Sequence, residues 1–246
     1  MKLIKPLLLA SCVALAGCDG SIKSQDVWKA IDNVATEMNN GNGGLTNDQV
    51  IAGLKEALNR GTISGSNKLM SIDGFFKDAA VKILIPPEAK NVESKLRAIG
   101  LNDLCDKAIL TINRGAEKAA GEATPIFSNA IKQMSISDAM GILKGGGTSA
   151  TDFLKRTCTT QLTTAFRPVV ENSLKSSDAT KYWGDVMSAY NKIPLVTPVN
   201  SDLTGYVTQK AIDGLFLKIA DEEKNIRTNP AARATALLQK VFGSVK

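Results

Sequence analysis

The chain has 246 residues, of which 43% are hydrophobic and 22% are charged, a composition typical of a folded globular protein that excludes a disordered or collagen-like chain. Lysine and arginine number 30 against 24 for aspartate and glutamate, so the net charge is +6, and there is no histidine. The absence of histidine excludes Ser-His-Asp and Cys-His catalysis and any metal site with a histidine ligand.

The N-terminus has the pattern of a lipoprotein signal. Two lysines within the first five residues precede an apolar run over residues 7–16, which is too short for a permanent membrane-spanning helix. The run ends in Leu15-Ala16-Gly17-Cys18, which resembles a bacterial lipobox. The signal peptidase would recognise the residues before the cysteine, and the thiol of Cys18 would carry diacylglycerol and further acyl chains. The alternative is an ordinary signal peptide that contains a cysteine.

Cleavage before Cys18 would divide the chain into three parts. Residues 1–17 are the expected signal peptide, residues 18–44 the lipidated N-terminus with a first helix and a Gly/Asn-rich linker, and residues 45–246 a helical domain. The acyl chains would hold the protein on a membrane, facing the periplasm. Asp19 resembles the residue that retains lipoproteins in the inner membrane of enteric bacteria, which favours the inner membrane and leaves the outer membrane open.

Lipidation also changes what the charge implies. Removal of residues 1–17 leaves 229 residues and takes away two lysines, so the net charge falls from +6 to +4. That charge gives only a mild attraction to anionic headgroups. The basic residues are scattered and no basic stripe carries interleaved aromatic residues, so nucleic acid is not predicted as a partner.

Helical periodicity dominates the rest of the chain. After a first helix over residues 25–39, a capping-box pattern at residues 46–49 predicts the start of a second helix, which Gly61 to Gly65 is expected to end. Residues 81–85 and 193–198 form two short extended segments bounded by prolines. Further helices are predicted over residues 88–99, 102–120, 125–134, 135–145, 148–166 (with Pro168 bending or ending it), 178–191, 201–227 and 230–242. The predicted fold class is therefore all-α: a single multi-helix domain with two short extended, proline-bounded segments.

Two cysteines remain in the helical domain, and both lie on apolar faces of predicted helices. A disulfide between Cys105 and Cys158 would suit an oxidising compartment and would stabilise the fold by about 4 kcal/mol. The interpretation we favour is that each cysteine fills space in the core as a small hydrophobic residue.

Two polar patterns are candidates for an anion site. The first is Arg114 with Glu117, three residues apart on one helical face, where the carboxylate would orient the guanidinium toward a carboxylate or phosphate ligand. A surface ion pair explains the same spacing. The second is the Gly145-Gly146-Gly147-Thr148 turn, whose amides and following helix dipole favour negative charge. The interpretation we favour is a tight helix-to-helix turn with Thr148 or Ser149 as the helix cap.

Several stretches along the chain resemble a known family. They are Val81–Pro86, Asn113–Ala119, Pro125–Phe127, Gly141–Gly146, Ala150–Phe153, Tyr206–Ala211, Asp213–Phe216 and Asn229–Arg233. Together, and in this order, they resemble the bacterial exported family catalogued as domain of unknown function 4197. The resemblance implies an exported, mainly helical protein with no assigned activity. The two cysteines of the domain and the triple glycine at residues 145–147 look like departures from the family's pattern.

Three functional hypotheses follow. The first is a lipid-anchored envelope protein, without catalytic activity, that binds an envelope protein or serves a structural role. The second is an enzyme acting on envelope material with carboxylates such as Glu117, Asp152 or Asp213, which would have to converge in a cleft. The third is a helical binder of a hydrophobic ligand, which requires an apolar pocket between helices. No metal or cofactor is predicted for any of them.

Overall fold

The computed structural model describes residues 46–176, 183 and 202–243, all within a compact unit that begins at Gly43. These residues form α1 (Asn47–Met70), α2 (Lys90–Ala98), α3 (Asn102–Ala120), α4 (Ala123–Gln133), α5 (Ile136–Lys144), α6 (Ser149–Lys175), α7 (Leu203–Thr228) and α8 (Ala236–Gly243), with short 3-10 helices at Pro87–Ala89 and Pro230–Ala232. No strand occurs within the described ranges. The prediction of an all-α domain is confirmed. The predicted helices over residues 25–39 and 178–191 and the second extended segment lie outside the described residues.

Helix starts that depend on local capping were predicted correctly. Thr46 and Gln49 form the reciprocal hydrogen bonds of a capping box at the start of α1. Ser135 forms the same arrangement with Asp138 at the start of α5. The turn between α2 and α3 contains Gly100 with φ +89, the left-handed conformation expected for a glycine that ends a helix.

The prediction that Gly61 to Gly65 ends the first helix of the domain is wrong, because α1 continues to Met70. The two glycines lie where α1 packs closely on α7. A Cβ atom at Gly65 would lie 3.3 Å from the side chain of Ile219, and one at Gly61 would lie 3.7 Å from that of Glu222. The glycines therefore permit close helix packing inside a continuous helix, and the packing offsets their poor helix propensity.

Two other helix boundaries also differ from the prediction. Helix α6 runs past Pro168 to Lys175, because the fully buried Phe166, Val170 and Leu174 continue one apolar stripe whose burial outweighs the backbone hydrogen bond that proline removes. The predicted helix over residues 230–242 is divided into a 3-10 helix and α8. Between them the Arg233 guanidinium donates to two carbonyl groups in the last turn of α7, which fixes this break in the helix.

The core lies among the four longest helices. Helix α3 packs on α6, α6 packs on α7, and α7 packs on α1. Most buried side chains are aliphatic, in keeping with an aromatic content of 5%. Phe127 and Phe216 form an edge-to-face pair with centroids 5.9 Å apart. Among the described helices, none is both long and apolar enough to cross a membrane.

Candidate ligand-binding groove

The extended segment after α1 is anchored by one buried side chain of α3. The side-chain oxygen of Asn113 accepts a hydrogen bond from the Ile83 N–H at 2.9 Å, and its amide nitrogen donates to the Ile83 carbonyl at 2.7 Å and to the Ile109 carbonyl at 2.8 Å. Asn113 is fully buried. The Asn113 side chain therefore pairs with both backbone groups of Ile83, as a neighbouring strand would, and holds the segment against the domain.

The predicted pair Arg114–Glu117 anchors the same region. Glu117 is buried and accepts hydrogen bonds from the Phe75 and Phe76 N–H groups, both at 3.2 Å. Arg114 donates to Glu117 at 2.6 Å and to Asp73 at 2.7 Å. Hydrogen bonds from Lys77 and Arg114 hold the pKa of the Asp73 carboxyl below its usual value. Two carboxylates of the chain itself thus engage this guanidinium, and the network fixes the loop.

The loop conformation depends on that network. Asp73 has φ 69, a left-handed conformation that is uncommon for residues other than glycine. Its carboxylate bonds Arg114 and Lys77, and Phe75 two residues later is fully buried. The ion pairs therefore help to hold a strained turn that places an aromatic side chain in the core.

At the second predicted anion site, the start of α6 after the glycine turn, a carboxylate of the protein itself occupies the position of the anion. The carboxylate of Glu223 on α7 accepts hydrogen bonds from the Ala150 N–H at 3.0 Å, the Thr151 N–H at 2.8 Å and the Thr151 hydroxyl at 2.8 Å. Arg227 donates to the same carboxylate at 2.9 Å. Thr148 makes no capping hydrogen bond at this helix start, and its hydroxyl instead donates to Asp152 at 3.2 Å.

That capping role was not predictable from local pattern. Glu223 lies more than seventy residues from the amides it caps, so no spacing rule connects them. The amides that bind the carboxylate belong to the first turn of α6 and not to the glycine turn. The structure does not bring Thr148 into hydrogen-bond contact with Arg114 or Glu117, which form their bonds in the loop network described above.

Each of the three acids proposed for catalysis is engaged by a different hydrogen-bond partner of the chain itself. Glu117 is buried in the loop network, Asp152 accepts from Thr148 at the surface, and Asp213 accepts from Gln209 at 2.9 Å. Within the described ranges, no group of three or more Cys, Asp or Glu side chains is arranged to hold a metal ion.

The cysteines of the domain are both buried free thiols. Burial raises the pKa of the Cys158 thiol, which keeps it protonated and unreactive in the folded protein. Cys18, the preceding residues Leu15, Ala16 and Gly17, and the sorting residue Asp19 lie outside the described residues, so their roles remain predictions.

One small space lies among the packed helices of the described residues. A space of about 20 Å³ lies where α1, α7 and α8 meet, bounded by Leu58, Ile226 and Phe242 among others. A volume of roughly 10–15 Å³ is needed for one water molecule. This space therefore suits a water and is too small for a lipid chain.

A larger groove lies between the extended segment and the outer face of α7. Its volume is about 450 Å³, and residues 80–85 with Pro87 and Lys90 form one side. The other side is a single stripe of α7, with Tyr206, Lys210, Asp213, Gly214 and Leu217 at helical spacing. The Tyr206 hydroxyl donates to the Leu84 carbonyl at 3.3 Å and links the two sides.

The groove combines positive charge with exposed apolar side chains. Lys82, Lys90 and Lys210 form no ion pair within the described part of the chain, and Asp213 is the acid in the lining. The Lys82 ammonium lies 4.2 Å from the Phe76 ring centroid, and that of Lys210 lies 5.9 Å from the Tyr206 centroid. Leu84 and Leu217 are 50% and 42% exposed.

Tyr206 lies at the more sheltered part of this groove. Burial, together with the nearby negative charge of Glu88, raises the pKa of the Tyr206 hydroxyl. The hydroxyl therefore stays protonated at neutral pH and remains a hydrogen-bond donor.

A second groove of about 560 Å³ beside α1 and the loop after it has a different electrostatic character. Its lysines are neutralised, because Lys68 pairs with Glu222, Lys77 with Asp73 and Lys218 with Asp78. The groove beside Tyr206 is the better candidate for an anionic ligand, since its cations have no carboxylate partner among the described residues.

The sequence analysis identified the segments that line the candidate groove but did not predict that they lie next to each other in space. Residues 81–86, 206–211 and 213–216 are three of the stretches that carry the family resemblance. Their spacing does not predict that residues 81–86 lie opposite residues 206–216, because more than one hundred residues separate the two stretches.

Comparison with known proteins identifies a family. No curated protein and no solved structure matches the chain. A family model described as "Protein of unknown function (DUF4197)" matches residues 44–243, which covers the described helices and both sides of the groove. The chain belongs to the DUF4197 family.

Proposed function

We propose that this protein is a lipid-anchored component of the bacterial envelope whose helical domain binds a ligand without catalysing a reaction. The observation that carries the binding role is the groove beside Tyr206, where three lysines without carboxylate partners in the described ranges adjoin exposed leucines. In the second groove, by contrast, each lysine pairs with a carboxylate of the chain itself. Unpaired cations beside apolar surface favour recognition of an anion with an apolar part.

The anchor is supported by the Leu15-Ala16-Gly17-Cys18 pattern. Two or three acyl chains on Cys18 would give firm membrane attachment, since each buried methylene contributes about 0.8 kcal/mol. Attachment through the N-terminus would leave the domain in the periplasm, where it meets soluble ligands and envelope proteins.

The anchor is tested by expressing the full precursor in a bacterium fed an alkyne-tagged fatty acid. We expect Cys18→Ala to abolish both acyl labelling and recovery in the membrane fraction. Cys12→Ala is the matched control, because it also removes a cysteine from the N-terminal segment but leaves the lipobox intact. Continued labelling of Cys18→Ala would contradict the assignment.

Binding is tested on residues 18–246 with Cys18→Ser, which removes the acylation site. The probes are sodium phosphate, decanoate and a short acidic peptide with leucine residues, each followed by thermal shift and by NMR chemical shifts of groove amides. A ligand present at one hundred times its Kd should stabilise the fold by about 2.7 kcal/mol. We expect at least one anion to do so, and to lose the effect in K82Q/K210Q.

The control for this variant is K224Q/K240Q. It removes the same charge from exposed positions of α7 and α8 outside the groove. Equal loss of binding in both double variants would show that net charge alone attracts the anions. Absence of binding by every probe would refute the groove as the functional site.

A further inference from the structure

We infer that the groove takes a monomeric single-chain amphipathic anion, such as a fatty acid or alkyl phosphate, with its charged head between the lysines and its chain along Leu84 and Leu217. This inference rests on the proposed function of the groove as a binding site. It adds the chemical class of the ligand.

The head-group assignment follows from how the lysines are held. Lys82 and Lys210 each lie over an aromatic ring, of Phe76 and Tyr206 respectively. A cation–π contact positions an ammonium group without neutralising it, so its N–H donors stay available to an anion. With Lys90 there are three positive charges in the lining against Asp213, whose carboxylate already accepts from Gln209. The charge of Glu88 also acts on Tyr206 from beside the lining, and three cations against these two acids leave the groove positive. The groove is therefore complementary to an anionic head.

The chain assignment follows from the shape of the available space. Leu84 and Leu217 expose apolar surface from opposite sides of the groove, and half-buried Ile85 lies in the same lining. The volume of about 450 Å³ is within the usual range for small-molecule sites, roughly 300–1,000 Å³. The 20 Å³ space near Phe242 is too small to admit an alkyl chain, so we place the chain along the groove.

The backbone of the extended segment argues against an added peptide strand. Strand addition requires free N–H and C=O groups along an edge. The Ile83 N–H and carbonyl are both bonded by Asn113, and the Leu84 carbonyl already accepts from Tyr206. A ligand that needs no main-chain pairing fits this segment better than a peptide.

The test is calorimetric titration of residues 18–246 carrying Cys18→Ser with octanoate, decanoate and dodecanoate below their micelle concentrations. Because a buried methylene is worth about 0.8 kcal/mol, affinity should rise by up to about fourfold for each methylene until the groove is filled. Decanol should bind at least about tenfold more weakly than decanoate, since it lacks the charge that the lysines recognise.

Variants separate the two parts of the ligand. K82Q/K210Q should weaken decanoate binding by about tenfold or more, while K224Q/K240Q should leave it unchanged. L217S should flatten the dependence on chain length, because it removes apolar surface from one side of the groove. Circular dichroism of each variant confirms that the helices are retained.

Several outcomes would overturn the inference while leaving the proposed function intact. These are equal binding of decanol and decanoate, affinity independent of chain length, binding of the acidic peptide in place of the fatty acids, or binding only to phosphatidylglycerol vesicles. Loss of every binding signal, including that of phosphate and peptide, would instead refute the proposed function.

Discussion

Replacement of Glu223 by alanine removes the acceptor that satisfies the start of α6. In the folded protein this carboxylate receives two backbone N–H groups, one hydroxyl group and the Arg227 guanidinium. Its side chain is 7% exposed, so water does not readily replace it. The change should therefore lower the free energy of unfolding.

The magnitude can be worked out from these contacts. Loss of an N-cap acceptor costs about 1 kcal/mol, and removal of one partner of a buried ion pair costs about 3–5 kcal/mol. Arg227 is 14% exposed and keeps the Ile142 carbonyl and the Ser149 hydroxyl as acceptors. The cost of breaking this pair should therefore lie at the low end of that range. We expect a total of about 4 kcal/mol for Glu223→Ala, and about 1–2 kcal/mol for Glu223→Gln, which keeps one acceptor oxygen.

Urea unfolding followed by far-UV circular dichroism measures this loss, and hydrogen exchange at Ala150 and Thr151 locates it. Asp221→Ala is the matched control, because Asp221 is an exposed acid on the same helix and its removal should change stability by less than about 0.5 kcal/mol. If Glu223→Ala is as stable as Asp221→Ala, or if exchange at the two amides is unchanged, the capping role is refuted.

Four further predictions concern positions elsewhere in the domain. Asn113→Leu should cost about 3 kcal/mol in urea unfolding, since it leaves a buried N–H and carbonyl of the extended segment without partners. Gly141→Ala should raise the free energy of unfolding by about 0.5–1 kcal/mol, because no atom lies within 4 Å of the added Cβ. Gly214→Ala should lower the free energy of unfolding by about 1–3 kcal/mol, because the added Cβ would lie 2.8 Å from the buried ring of Phe75. Equal melting temperatures for Gly141→Ala and Gly214→Ala would contradict the close packing of Gly214. A hydrogen bond from Lys218 lowers the pKa of the Asp78 carboxyl. The pair therefore stabilises the folded protein at any pH above the ordinary pKa of aspartate. This stabilisation is lost as the pH falls from the ordinary pKa toward the lowered pKa of the folded state. The melting temperature of Asp78→Asn should lie below that of the wild type at pH 6 and converge with it at acid pH, and a constant difference would refute the pairing.

Part of the loop network that includes Asp73 was present in the sequence as a spacing. Arg114 and Glu117 were predicted to meet because residues three apart share a helical face, and they do so at 2.6 Å. Their role in holding the loop at Asp73 was not predictable, because that loop is 41 residues distant. The lysines of the groove were likewise visible only as scattered charges, since their grouping depends on the packing of the segment at Lys82 against α7.

The sequence by itself determined the helical class, the capped starts at Thr46 and Ser135, and the left-handed turn at Gly100. Each depends on hydrogen bonds or backbone conformation within about four residues, which the order of amino acids specifies directly. Only the tertiary structure decided that α1 continues through its glycines, that Glu223 caps α6, and that a basic groove forms beside Tyr206. These features depend on contacts between distant helices, where close packing and buried polar groups outweigh local propensity.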